Sequence, residues 1–367
     1  MRFEGVQALR FVAAFLVLVT HASFYASARL DPSVGTWWFG AVGVDVFFVI
    51  SGFVMMVSTP GLSRDGDGAL RFGYRRVIRI APMYWIATTV KILTVMAVPT
   101  VALHPDLSPG RVLASYFFLP TRGPTGETGV ILGVGWTLVF EMLFYLLFTL
   151  GLALRLDPML FSGGALMLVA AGSFLRPETG WPVWSYHFSF IVVYFVIGMA
   201  LGRLVLSERL RPHTPRVAAG AVAATLVIAL LPGGVAWENS SPLRVVAVTA
   251  FVTCVVAAEP LLRGRLPRPA LFLGDASYSL YLFHPLVGPV VPVVLARAGL
   301  IDHTVATVLT IVLAVAAGAF LFRFVERPVT GRLRGLEPRV ARVVLRRRQP
   351  APAAVPADAT ARPDTAT

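Results

Sequence analysis

The chain has 367 residues, of which 56% are hydrophobic and only 14% are charged, and its mean hydropathy is +0.75. Because soluble domains are about 45–50% apolar and about 25% charged, this composition excludes a soluble globular domain, a disordered chain and a collagen-like chain. It predicts an all-α, polytopic membrane protein. The single cysteine, Cys254, excludes an intramolecular disulfide and a cysteine-based metal site.

The net charge is +13, and Lys91 is the only lysine among the 32 basic residues. The arginines cluster in the loops between apolar runs, as the positive-inside rule expects of a membrane protein. We therefore expect membrane lipids, and no nucleic acid, to be the partners of this charge.

Runs of about 20 apolar residues, the length that crosses a bilayer, occur ten times in the chain. They are 8–26, 41–58, 82–102, 132–154, 159–175, 184–203, 217–233, 243–262, 270–297 and 304–325. The run 110–120 is too short to cross and is expected to be re-entrant or interfacial.

The arginine distribution predicts the orientation. With the N-terminus inside, most arginines fall in the inner loops and the C-terminal stretch, so both termini are expected to be cytoplasmic. An alternative is a cleaved signal peptide ending near Ala26-Ser27-Ala28, which would leave nine spans. Residues 1–330 are predicted to form one transmembrane domain. Residues 331–367 begin basic, become Ala/Pro-rich, and are expected to form a disordered cytoplasmic tail that contacts anionic lipid.

Ionisable residues inside a membrane are costly, so each is a candidate for a functional site. Arg10 and His21 lie on the first predicted helix, eleven residues apart, which places them on one face about 16 Å apart in height. Imidazole suits general acid–base chemistry near neutral pH. An arginine extended to the headgroups and a histidine near the outer interface would explain the same residues without a catalytic role.

Asp45 opens the second predicted helix in the segment GVDVFFVISGFV (43–54). If this helix returns beside the first, its carboxylate lies at the depth of His21 and is expected to orient the imidazole. Gly40, Gly43 and Gly52 would allow the close approach of the helices. A carboxylate favoured only by a helix N-terminus is the alternative.

Three arginines in RRVIRIAPMYW (75–85) are expected to lie in the first large inner loop as it enters the third helix. Arg76 and Arg79 are spaced i, i+3, and Arg75 and Arg79 are spaced i, i+4, so either pair shares a helix face. Two guanidinium groups on one face suit phosphates, so a phosphorylated cytosolic donor such as a coenzyme A thioester fits. Ordinary positive-inside charge is the alternative.

Glu141 stands among aromatic residues in GWTLVFEMLFY (135–145), and either binds a cation or sugar hydroxyl or makes a structural interhelix bond. Glu326, in VERP (325–328), is expected to be an ion-pair anchor near the donor entrance, beside Arg323 and Arg327. His284 precedes Pro285 and is interpreted as structural. No two histidines have metal-site spacing, so no metal is expected.

These segments, taken in order, resemble the acyltransferase-3 family of integral membrane acyltransferases over about residues 5–330. The matching segments are Arg10-x10-His21, GVDVFFVISGFV, Arg76-x-x-Arg79, GWTLVFEMLFY, SYSLYLFHP (277–285) and VERP. The first segment and the GWTL block are most similar to the exopolysaccharide O-acetyltransferase branch.

The resemblance implies that an acyl group, usually acetyl, moves from cytosolic acyl-CoA to a sugar hydroxyl of an exported or surface glycan or glycolipid. It implies an essential pair of Arg10 and His21, with His21 as the base or transient acyl carrier. Asp45 and Glu141 are added as catalytic candidates, and Arg75, Arg76, Arg79 and Glu326 as donor-binding ones. No permanently bound cofactor is expected, and the expected location is the bacterial inner membrane.

Two other interpretations remain open from the sequence. The same buried charges would serve a carrier or flippase for a glycan or lipid intermediate. An enzyme of the same family that acylates a small metabolite such as a macrolide would also carry these segments.

Overall fold

A computed structural model describes residues 3–62, 65–98, 106–124, 126–177, 180–210, 220, 223–224 and 240–346, with side chains up to 337. Within these residues the protein is a helical bundle, which confirms the all-α membrane class. Two short strands, Thr121–Arg122 and Thr128–Gly129, pair antiparallel in a connecting loop.

The helices are numbered in chain order. They are α1 (Glu4–Arg29), α2 (Val42–Val57), α3 (Gly66–Ala97), α4 (Pro109–Tyr116), α5 (Trp136–Ala153), α6 (Pro158–Gly172), α7 (Val193–Leu206), α8 (Pro242–Ala257), α9 (Glu259–Leu262), α10 (Arg268–Asp275), α11 (Ser277–Val287), α12 (Val290–Arg297), α13 (His303–Leu321) and α14 (Arg327–Arg346). A π-helical turn, Phe322–Glu326, joins the last two.

Eight helical segments of the described residues are long and apolar enough to cross a membrane. They are Glu4–Arg29, Trp38–Val57, Gly66–Ala97, Gly133–Ala153, Pro158–Leu175, Val183–Leu206, Ser277–Arg297 and His303–Glu337. The predicted span 243–262 corresponds to the shorter apolar helix α8. The predicted span 217–233 lies outside the described residues, apart from 220, 223 and 224. The total of ten therefore stays a prediction.

The third helix begins 16 residues earlier than the sequence indicated. Asp65 caps it, because its carboxylate accepts hydrogen bonds from the amides of Asp67 (3.0 Å) and Gly68 (2.9 Å). Pro82 lies inside the helix. The arginine-rich segment 75–85 is therefore helical and not a loop. Long arginine stems pack along a helix as readily as in a loop, so a cluster of arginines does not by itself indicate a loop.

The expected tail also begins as a helix. Residues 331–346, the basic part of that tail, belong to α14, and residues 347–367 lie outside the described ones, so the expected disorder of the tail stays a prediction. The helix packs on α3, where the Tyr74 hydroxyl donates to the Leu333 carbonyl oxygen (2.7 Å). This contact supplies the tertiary support that a basic segment lacks by composition.

Aromatic side chains fill the centre of the bundle. Phe195 of α7 stacks on Phe48 of α2 and Phe144 of α5, with ring centroids 4.3 and 4.6 Å apart. Leu168 and Leu175 are instead 75% and 85% exposed. Apolar side chains on the outside of a bundle are what a lipid solvent requires.

Glycines bring α2 and α7 into backbone contact. A Cβ on Gly52 would collide with the Phe195 carbonyl, and one on Gly198 with the Val49 carbonyl. Gly40 and Gly43 make the same kind of approach to α1, against Leu16 and Ala13. The expectation that these glycines allow close packing on α1 is correct for Gly40 and Gly43, whereas Gly52 serves the α2–α7 contact.

Gly198→Ala should lower the free energy of unfolding by about 1–3 kcal/mol, because the added methyl group has no space at the α2–α7 contact. Gly164→Ala, also within a helix, meets no atom within 4 Å, and should leave stability unchanged or raise it by up to about 1 kcal/mol. Thermal unfolding of the two variants in detergent measures the difference, and equal midpoints would contradict the packing argument.

Candidate functional site

The N-terminus of α1 is held by carboxylates from the C-terminal half of the chain. Glu259 accepts hydrogen bonds from the backbone amides of Glu4 (2.6 Å) and Gly5 (2.8 Å), which are among the unpaired donors of the first helical turn. The Gln7 amide donates to Asp275. These contacts fix the height of α1 against α9 and α10, and so position the functional candidates that follow on α1.

Two cavities lie along α1. The arginine cavity, of about 120 Å³, is lined by residues that include Arg10, Ser51, Arg76, Arg79, Thr137, Glu141, Tyr145, Tyr278 and Tyr281. The histidine cavity, of about 400 Å³, is lined by residues that include His21, Tyr25, Lys91, Arg111, Glu127, Val134, Trp136, Tyr186 and Pro285. The one face that carries Arg10 and His21 therefore serves two different cavities.

Arg10 is the unpaired cation of the arginine cavity. Within the part of the chain that the structure describes, its guanidinium makes no hydrogen bond or ion pair. It does interact electrostatically, at longer range, with Arg79, Glu141 and Glu326. An arginine without a partner in a membrane interior is costly unless a ligand supplies the anion. Arg10 is therefore placed to bind an anionic or strongly polarised group.

Arg79 and Glu326 form a buried ion pair across 247 residues of sequence. The Glu326 side chain is only 1% exposed, and it also accepts a hydrogen bond from the Ser279 hydroxyl (2.7 Å). Glu326 is thus the anchor that the sequence predicted, but its partner is Arg79 on α3 and neither Arg323 nor Arg327. Its carboxylate holds Arg79 at the cavity wall.

The other two arginines of the segment 75–85 point in different directions. Arg76 lines the cavity, donates to the Ser58 hydroxyl (2.9 Å) and lies 5.1 Å from the Phe72 ring centroid. Arg75 instead pairs with Glu337 of α14 at 2.9 Å, and its side chain is 54% exposed. The structure brings Arg76 and Arg79 together in the cavity and leaves Arg75 outside it, because i, i+3 neighbours share this face.

Glu141 faces the arginines and not the histidine. One carboxylate oxygen accepts hydrogen bonds from the hydroxyls of Ser51 (3.1 Å) and Tyr145 (2.5 Å). The residue lines the arginine cavity, where it lowers the local positive charge. Of the aromatic residues around it in sequence, Trp136 lines the histidine cavity instead.

His21 is held in one tautomer. Its Nδ1 lies 2.9 Å from the Val17 carbonyl oxygen, and since a carbonyl only accepts, Nδ1 carries the proton in the neutral ring. The Nε2 atom then keeps its lone pair, and the side chain lines the histidine cavity. This is the geometry of a base or nucleophile.

His284 lies against His21, with ring centroids 4.9 Å apart. It is 1% exposed, its Nδ1 contacts the Leu280 carbonyl (3.2 Å), and its Nε2 has no hydrogen-bond partner among the described residues. The sequence favoured a structural role for this residue. Its contact with His21 places it beside the candidate base, and the motif SYSLYLFHP was the signal that pointed to it.

Asp45 does not orient His21 as expected. Its carboxylate accepts a hydrogen bond from Arg244 Nε (2.5 Å), and Tyr194 borders the pair. Both side chains are nearly inaccessible, at 1% for Asp45 and 9% for Arg244. The charge on the aspartate is thus satisfied by α8, and the Val17 carbonyl orients His21 instead.

The histidine cavity has a mixed lining of charges and rings. Arg111 on α4 contacts Asp106 and Glu127 at 3.3 Å each. Lys91, Trp136 and Tyr186 complete a wall that offers both hydrogen bonds and aromatic faces. The sequence marked Lys91 as a buried ionisable residue and Trp136 as part of an aromatic surface, but it assigned no site role to Arg111, Glu127 or Tyr186, because they are distant in sequence from α1. No group of three His, Cys, Asp or Glu side chains within the described ranges is arranged to hold a metal ion.

The comparisons with known proteins agree on one family. The family model described as an acyltransferase domain matches residues 3–323. The exopolysaccharide production protein ExoZ of Rhizobium meliloti (strain 1021) is 36% identical over 306 residues, which are 80% of this chain and 90% of that protein. No solved structure matches the chain.

Two further relatives extend over most of the chain. Nodulation protein 10 of Rhizobium leguminosarum bv. viciae is 28% identical over 348 residues, covering 87% of this chain and 91% of that protein. A putative membrane-bound transacylase, BcsY of Komagataeibacter xylinus, is 27% identical over 307 residues, covering 77% and 72%. The family match over residues 3–323 includes the residues that line both cavities.

Arg244→Ala should lower the free energy of unfolding by about 3–5 kcal/mol, because it leaves the Asp45 carboxylate buried without its cation. Arg203→Ala is the matched control: Arg203 pairs with Asp157 at 3.3 Å but is 52% exposed, so its loss should cost at most about 1 kcal/mol. Thermal unfolding in detergent distinguishes the two. Equal stability of the variants would contradict a structural role for the Asp45–Arg244 pair.

Proposed function

We propose that this chain, which belongs to the acyltransferase-3 family, moves an acetyl group from cytosolic acetyl-CoA to a sugar hydroxyl of an exported or surface glycan. The family makes it a membrane acyltransferase that transfers acyl groups other than aminoacyl groups. The observation that carries the finer proposal is the placement of an unpaired Arg10 and of His21 on one helix face, each in its own cavity.

Donor binding is assigned to the arginine cavity. Its volume is below the 300–1,000 Å³ of typical ligand pockets, so it is assigned a phosphate-bearing part of the donor and not the whole of coenzyme A. Guanidinium groups bind phosphates bidentately, and Arg76 and Arg79 are spaced for this at the arginine-rich end of α3. Arginine counting assigns that end to the cytoplasm, which is where acyl-CoA is found.

His21 is assigned the role of base. Its Nε2 takes the proton of the acceptor hydroxyl while the hydroxyl oxygen attacks the thioester carbon, the C–S bond breaks, and the proton passes to the departing thiolate. Transient attachment of the acyl group to Nε2 uses the same lone pair. Arg10 is assigned the anionic part of the donor. This chemistry needs no group beyond those on the chain and its two substrates.

Acceptor binding is assigned to the histidine cavity. Trp136 and Tyr186 offer ring faces, and Lys91, Arg111 and Glu127 offer hydrogen-bonding groups of the kind that sugar hydroxyls use. The relative ExoZ is named for exopolysaccharide production, which supports a glycan acceptor. The bacterial sources of the relatives support the bacterial inner membrane as the location.

His21→Ala should abolish acetyl transfer, because no other described side chain presents a free imidazole lone pair to the histidine cavity. The measurement is acceptor-dependent release of coenzyme A from acetyl-CoA in membranes supplied with de-O-acetylated bacterial exopolysaccharide. His303→Ala is the control, since His303 begins α13 and lines neither cavity. Turnover by His21→Ala equal to that of the wild type would contradict the proposed mechanism.

Arg76→Ala should raise the KM for acetyl-CoA about 10- to 100-fold, the worth of a hydrogen bond to a charged group, with a smaller effect on kcat. Arg71→Ala removes the same charge from the same helix at an exposed position outside both cavities, and should change KM little. Initial rates over a range of acetyl-CoA concentrations provide the comparison. An equal rise in both variants would mean that net charge, and not the cavity, sets donor affinity.

A further inference from the structure

The two cavities are separated by a thin wall made at the junction of α11 and α5. Tyr281 and Thr137 line the arginine cavity, while Val134 in the turn before α5 and Trp136, the first residue of α5, line the histidine cavity. The Tyr281 ring lies 5.8 Å from Phe47 and 5.9 Å from His284, measured between centroids. The linings of the two cavities therefore adjoin at these residues.

Two hydroxyl groups meet at the wall. The Tyr281 hydroxyl lies 3.0 Å from Thr137 Oγ1, and the two lie 3.2 and 3.1 Å from the Val134 carbonyl oxygen. Both side chains are buried, at 6% and 5% exposure. The Val134 carbonyl oxygen only accepts, so at least one hydroxyl donates its proton to it. The other hydroxyl donates either to the same carbonyl oxygen or to the oxygen of the first hydroxyl.

Three other hydroxyl groups of the arginine cavity are directed elsewhere, whereas the Ser277 hydroxyl has no hydrogen-bond partner among the described residues. Ser51 and Tyr145 donate to Glu141, and Tyr278 donates to the Ile80 carbonyl (2.7 Å). Tyr281 and Thr137 therefore differ from them by standing between the two cavities and by sharing a weak, replaceable acceptor. Rotation about a C–O bond is enough to redirect either proton to another oxygen at the wall.

We propose that Tyr281 and Thr137 are catalytic residues that donate hydrogen bonds to the thioester carbonyl oxygen during transfer. The inference rests on the proposed function. When the hydroxyl oxygen of the acceptor attacks, the C=O electron pair moves onto the carbonyl oxygen, which then accepts the two O–H groups. The pair returns as the C–S bond breaks, and His21 passes the acceptor's proton to the thiolate.

This role explains why two hydroxyl groups stand where the two cavities adjoin. Hydrogen bonds to a developing oxyanion are strongest where water is excluded, and the hydroxyl pair lies where the linings of the two cavities adjoin. His284 touches both the Tyr281 ring and the His21 ring, so α11 connects the donors of the wall to the base. Only the thioester group of the donor and the attacking hydroxyl of the acceptor need to reach this point.

The test uses the full-length protein in membranes with acetyl-CoA and de-O-acetylated bacterial exopolysaccharide. Tyr281→Phe and Thr137→Val should each lower kcat, by about 100-fold for the loss of one such donor, with little change in the KM for acetyl-CoA. Thr137→Ser, which keeps the hydroxyl, should retain kcat within a few-fold. Tyr84→Phe is the matched control, because the Tyr84 hydroxyl donates to the Ser115 carbonyl (2.9 Å) outside both cavities.

Each outcome decides the question. A wild-type kcat in Tyr281→Phe overturns the inference. If this variant also hydrolyses acetyl-CoA faster in the absence of acceptor, the hydroxyl pair acts only as a barrier between the cavities. A loss of kcat in Tyr84→Phe equal to that in Tyr281→Phe overturns it as well. A wild-type protein that does not consume acetyl-CoA contradicts the proposed function and the inference with it, whereas an active wild type with active variants contradicts the inference alone.

Discussion

The need to satisfy buried charge governs the arrangement of this bundle. The chain places a carboxylate and a guanidinium at each of two buried points, Asp45 with Arg244 and Arg79 with Glu326, and each pair joins helices far apart in sequence. Because an unpaired charge in a membrane interior is costly, these pairs restrict which helices can be neighbours. Glu259 adds the same constraint at the N-terminus of α1.

Because an unpaired buried charge is costly, a buried arginine without a bonded partner is informative. Once the pairs are formed, the arginine cavity retains Arg10 without a bonded partner among the described residues, while Glu141 is occupied by Ser51 and Tyr145. Arg76, which lines the same cavity, bonds only to the Ser58 hydroxyl and pairs with no carboxylate among the described residues, so the cavity holds more positive charge than its own carboxylates balance. The free cation is therefore best explained by a ligand that brings a negative charge, which is the property that a phosphorylated donor supplies.

Periodicity predicted what lies within one helix, and failed for what lies between helices. The shared face of Arg10 and His21 follows from 3.6 residues per turn, and so does the common cavity of Arg76 and Arg79. The partner of Asp45 is 199 residues away and that of Arg79 is 247 residues away, so no local pattern identifies them. The early start of α3 was missed because arginines near an apolar run resemble a loop.

The division into two cavities solves a problem of polarity. Coenzyme A and a glycan are both too polar to cross the hydrocarbon core cheaply, yet the proposed reaction joins a group from one to the other. In the proposed reaction, a wall formed by Tyr281, Thr137 and Val134 lets the body of each substrate remain in its own cavity, while the thioester group and the attacking hydroxyl meet at the junction. A junction that excludes water would favour transfer to the sugar over hydrolysis of the thioester. In the proposed reaction the membrane-spanning helix α1 is part of the chemistry, because one face of it carries both Arg10 of the donor cavity and His21 of the acceptor cavity.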